Sequence, residues 1–155
     1  MERVVNFYGC RARRNLAMEH KTSTHAIYGH EVTEVVLNSV NAWLAKNTSI
    51  HITHRWIGML KGDILVTLMF EESEGSGGGD ERIVSFDGSK IRENVAKRVG
   101  QSKDSVDHEE VASLLVKAAN NWLSGNPGAT LTHRFTTILG QDMLIVFMYS
   151  LQETP

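Results

Sequence analysis

Shifting the chain by 79 positions lays residues 2–71 on residues 81–150 without a gap, and 22 of those 70 positions are identical. A gapless match of that length reads as a tandem duplication, and nothing else in the sequence constrains the fold as much. Two copies of one unit must form, and each must bury its apolar faces against something. Glu2-Arg3 meets Glu81-Arg82, Trp43 meets Trp122, Thr53-His54-Arg55 meets Thr132-His133-Arg134, and Asp63 meets Asp142. The expected organisation is a first copy over 1–71, a linker over 72–80 rich in glycine, serine and acid, and a second copy over 81–155. Such a linker reads as flexible and solvated, and fully extended it would reach roughly 30 Å, enough to join two subunits of a dimer.

Each copy opens with a short β-rich run, "RVVNF" or "RIVSF", ended by Gly9 or Gly88. An amphipathic helix follows. Val32, Val35, Val36, Val40, Trp43 and Leu44 repeat at helical spacing, and Val111, Leu114, Leu115, Ala119, Trp122 and Leu123 match them. Asp107 with Glu110 predicts a capping box at the second helix, whereas Tyr28 leaves the start of the first less defined. Between strand and helix, "SKIRENVAKRVGQS" predicts a further helix stopped by Gly100, and the matching segment 10–28 predicts a helix or an ordered loop. A hairpin closes each copy, turning at "KGD" and "GQD". Its return strand is apolar on both faces: Ile64, Val66, Leu68 and Phe70 point one way, Leu65, Thr67 and Met69 the other. A strand buried on both faces needs a layer on each side, and the other copy is the nearest source. The predicted fold is therefore α+β, two β-α-β-β copies with one main amphipathic helix each, forming a pseudo-dimer about a pseudo-two-fold axis.

The formal net charge of −2 argues against general binding to nucleic acid or an anionic membrane. The single cysteine, Cys10, permits no disulfide within the chain and fits a reducing compartment. No secretory leader and no apolar run of bilayer length is visible, so the expected location is cytoplasmic, with no membrane partner. Seven histidines raise the question of a metal, but only His54 has a histidine counterpart, His133, and no further thiolates accompany them, so no metal or cofactor is expected.

The residues with ligand chemistry in both copies are Arg13 and Arg92, His54 and His133, and Arg55 and Arg134. Strand alternation puts Ile52, His54 and Trp56 on one face and Thr53 and Arg55 on the other. A histidine there is either a core or interface residue or an acid-base group. A guanidinium suits a carboxylate or phosphate, and the strand-glycine-helix junction before Arg13 and Arg92 is a plausible anion site. Asp63 and Asp142 sit in hairpin turns, where aspartate is expected for turn reasons. Without a nucleophile or carboxylate pair beside the histidines, the leading expectation is a non-catalytic binding or assembly protein. It would take a small anionic ligand near the copy interface, or a protein partner including itself. The alternatives are a small enzyme using His54 and His133, or an RNA-binding module using Arg11, Arg13 and Arg14.

Overall fold

A computed structural model describes residues 1–73 and 80–151. Most of the expected linker lies outside the described residues. The first half runs β1 (Arg3–Tyr8), α1 (Gly9–Glu19), a single 3-10 turn (Thr24–Ala26), α2 (Gly29–Lys46), β2 (Ile50–Leu60) and β3 (Asp63–Glu72). The second runs β4 (Glu81–Asp87), α3 (Gly88–Val99), a 3-10 turn (Lys103–Ser105), α4 (His108–Gly125), β5 (Ala129–Leu139) and β6 (Asp142–Leu151). Each half thus carries a shorter helix before its main amphipathic one, as expected for the second half, and the segment left open at 10–28 is α-helical as far as Glu19. Ala12 and Ala17 give α1 a narrow buried face that small side chains fill. The turn after α1 uses Lys21 at φ 53° where α3 uses Gly100 at φ 69°, so one backbone path serves both halves.

Each half folds its strands into an antiparallel three-stranded sheet, ordered β1-β3-β2 and β4-β6-β5. Lys61 and Gly62, both at positive φ, make the tight turn between β2 and β3. The register slips between Ile52 and His54, and again between Leu131 and His133. This bulge overturns simple alternation. Ile52 pairs with Phe70 and Arg55 with Leu68 on the helix-facing side, while His54 and Trp56 pair with Met69 and Thr67 on the other.

The halves do not pack reciprocally. Helix α2 packs on its own sheet through Val32, Val36 and Val40, and it also packs along β4 of the second half. Helix α4 makes no comparable packing along β1. The layers therefore succeed one another as first sheet, α1 and α2, second sheet, α3 and α4. Leu144, Val146 and Met148, on the face of β6 turned from α4, are fully buried in one core with Leu37 and Leu44. Their counterparts Leu65, Thr67 and Met69 are only half-buried. The double-faced strand expected from sequence thus finds its second layer in one half only, and a two-fold relation between halves is replaced by a head-to-tail one. The joint is polar at two points. Asn41 of α2 lies against the free edge of β4, donating to the Ile83 carbonyl at 3.0 Å and accepting from its N–H at 2.9 Å. Arg55 forms a two-point ion pair with Glu81.

Candidate binding cleft between the halves

Both halves brace the junction of first strand and first helix in the same way. A Cβ on Gly9 would lie 2.4 Å from the Ile64 carbonyl oxygen, and one on Gly88 would lie 2.8 Å from that of Met143. Glycine therefore lets each helix start directly against the hairpin turn. One turn later, Arg13 donates through Nε and Nη2 to both oxygens of Asp63 at 2.8 Å, and through Nη1 to the Thr24 and Ile27 carbonyls. Arg92 repeats this with Asp142 at 2.9 and 3.0 Å and with the Lys103 and Val106 carbonyls. The carboxylates hold both guanidinium groups firmly in the charged form. Asp63 and Asp142, read from sequence as turn residues, are arginine partners.

The head-to-tail joint brings these two braces to one place. A cleft of about 640 Å³ between the halves is walled by Arg13, Tyr28, His30, Arg92, Lys103 and Leu139, with Gly29, Gly62, Ser89 and the turn at Gly140–Asp142 completing it. That volume lies within the usual range for small-molecule sites. The first turn of α2, Gly29 and His30, opens into it, and the unpaired N–H groups of a helix start favour negative charge. Tyr28 stacks on His30 with ring centroids 5.6 Å apart, and the Lys103 ammonium lies 4.1 Å from the centre of the Tyr28 ring. His30 reaches Glu93 across the joint at 3.4 Å, and Ser89 at 3.5 Å. Hydrogen bonding from Lys97, ahead of the opposing cost of burial, keeps the Glu93 carboxyl below its ordinary range. Among the described residues Lys103 has no carboxylate within ion-pair distance.

The six residues singled out from sequence fall into two groups. Arg13 and Arg92 meet at the cleft with most of their donors already used. The other four belong to β2 and β5, which approach each other at the far side of the joint. There Arg55 is held by Glu81, Arg134 and His54 are exposed, and His133 pairs with Met148 on the buried side of its sheet. Burial, and then the positive charge of Arg55, pushes the His133 imidazole below its ordinary pKa, with smaller contributions from His54 and Arg134. The Arg11, Arg13 and Arg14 cluster is divided: Arg13 turns inward to Asp63, while Arg11 lies over the Tyr8 ring. No group of three metal-ligating side chains is gathered among the described residues, and none of their helices is long and apolar enough to cross a membrane.

Tyr28, His30 and Lys103 escaped the sequence reading for a physical reason. Their counterparts are Asp107, Glu109 and Thr24, so a search for chemistry shared by both copies passes over them. The cleft exists once because the joint exists once. Comparisons with protein-family models, with curated proteins and with solved structures give no match.

Proposed function

We propose that the chain is a non-catalytic binding protein, built by duplication of one unit, that holds a small anionic ligand with an apolar body in the cleft between its halves. The observation that carries this reading is the convergence of Lys103 and the α2 N-terminus on a cleft with apolar walls from Tyr28 and Leu139. The two Arg–Asp pairs are internally neutral and act as rigid walls; Arg13 keeps one Nη2 N–H beyond its four bonds, while Arg92 spends its last on His108. Net positive potential comes from Lys103 and the helix start. An aromatic carboxylate or phosphate monoester matches this: its ring stacks beside Tyr28 and its anion replaces the ring as the partner of Lys103.

Calorimetric titration with a panel of aryl carboxylates and aryl phosphates, beside uncharged analogues, tests it. The expected result is binding of the anionic members only, weakened about tenfold by Lys103→Ala, which corresponds to ~1.4 kcal/mol. Equal binding of charged and uncharged members, or no loss with Lys103→Ala, contradicts it.

A further inference from the structure

The joint inside the chain is made by two different surfaces, and each has an unused twin. The face of the second sheet that covers α2 corresponds, 79 residues earlier, to the outer face of the first sheet. The face of α2 that receives it corresponds to the outer face of α4. Both twins are exposed and apolar. On α4, Leu37 (5% exposed) becomes Val116 (47%), and buried Leu44 becomes Leu123 (38%). On the first sheet, buried Ile83 becomes Val4 (56%) and Phe135 becomes Trp56 (45%).

The polar elements of the joint are retained as well. Asn41, which caps the free edge of β4, has Asn120 as its twin, and Asn120 is exposed. Val4 pairs with Met69 in the register in which Ile83 pairs with Met148, so its outward N–H and C=O lie on the free edge of β1. Arg55 and Glu81, the ion pair across the joint, have Arg134 and Glu2 as twins, both exposed. His30 and Glu93, a third contact across the joint, become Glu109 and Arg14. The charges are exchanged and remain complementary. A surface without a partner has no reason to keep both sides of a lock.

We infer that the chain associates head-to-tail with copies of itself. The outer face of the first sheet of one molecule covers α4 of the next and repeats the internal joint between chains. Asn120 then caps the β1 edge at Val4 of the neighbour, and Arg134 pairs with the neighbour's Glu2. This contact is heterologous, so each added copy presents the same two faces again. The product is a ring if the rotation per joint closes and a filament if it does not. The inference is independent of the ligand cleft, which is complete within one chain.

Two variants, each blocking one face, test it: Val116→Asp on the helix face and Trp56→Lys on the sheet face. Both positions are exposed, and far-UV circular dichroism with thermal melting verifies the fold. Light scattering on a sizing column is expected to show wild-type chain above the mass of a monomer, and each variant alone as a monomer. Mixed, the two variants are expected to form a 1:1 dimer, because one keeps an intact sheet face and the other an intact helix face. A charge exchange, Arg134→Glu with Glu2→Arg in one chain, is expected to restore the assembly that either change alone weakens. A monomeric wild type at about 100 µM, an assembly that survives both blocking variants, or variants that do not complement on mixing would each overturn the proposal.

Discussion

Removing the Asp142 carboxylate isolates the energetic weight of the Arg–Asp braces. Arg92 is 2% exposed and Asp142 nearly as buried, and two N–H···O bonds of 2.9 and 3.0 Å join them. Asp142→Ala leaves a guanidinium buried without its counter-charge, held only by two carbonyls and His108. Breaking one partner of a buried pair costs about 3–5 kcal/mol. For a chain of this length that lowers Tm by roughly 10 °C. The matching change in the first half, Asp63→Ala, acts on Arg13, whose side chain is 23% exposed. Water can rehydrate that guanidinium, so about half the cost is expected. Removing both charges in the second half with Arg92→Met/Asp142→Ala should recover at least ~2 kcal/mol over the single variant, since no orphan charge remains. Urea unfolding at constant slope reads the three free-energy differences, and thermal melting reads the shift in Tm. A loss below about 1 kcal/mol for Asp142→Ala, or equal losses in the two halves, would refute the reasoning that burial sets the weight of the brace.

Gly9→Ala should destabilise by about 2 kcal/mol or more, because the new methyl meets backbone of β3 and not a movable side chain; thermal melting reads it. Asn41→Ala strips the Ile83 N–H and C=O of their partners and should lower stability by about 2 kcal/mol. Asn120→Ala should leave the melting temperature of the isolated chain unchanged and weaken association instead. His133 has a depressed pKa in the fold, so the unfolded chain binds more protons as pH falls through the ordinary imidazole range. Stability should therefore decline with falling pH, from the ordinary value near 6.5 down to the depressed one, and His133→Gln should flatten that part of the profile. An unchanged slope in the variant would assign the titration elsewhere.

Much of the fold was legible because the two halves of the sequence resemble each other and most signals appear twice. The periodic valines and leucines of α2 and α4, the hairpin turns and the glycine stop of α3 all lie where spacing placed them. The bulge at Ile52/His54 was not legible, since no residue type announces an extra residue in a strand, and it put Ile52 on the face of Arg55 and not on that of His54 and Trp56. The brace was legible in principle: Arg13 and Asp63 are 50 residues apart, as are Arg92 and Asp142, so one such pair stands in each half. Turn chemistry offered a sufficient local reason for aspartate, and the distant partner was missed. The head-to-tail relation could not be read at all. Asn41 and Asn120 are the same residue in the same context, and only the fold reveals that one is engaged and the other free.

In the head-to-tail fold α2 is covered on both sides while α4 is covered on one. Single cysteines at matched positions, Leu37→Cys and Val116→Cys, measure this directly. Both are placed in a chain carrying Cys10→Ser, to remove the native thiol, and Trp56→Lys, to keep it monomeric. Reaction with a thiol reagent should be slower at position 37 by on the order of 100-fold, because the layer above must open before the sulfur is reached. Comparable rates at the two positions would mean that the second sheet does not cover α2, and the head-to-tail joint would fall with it.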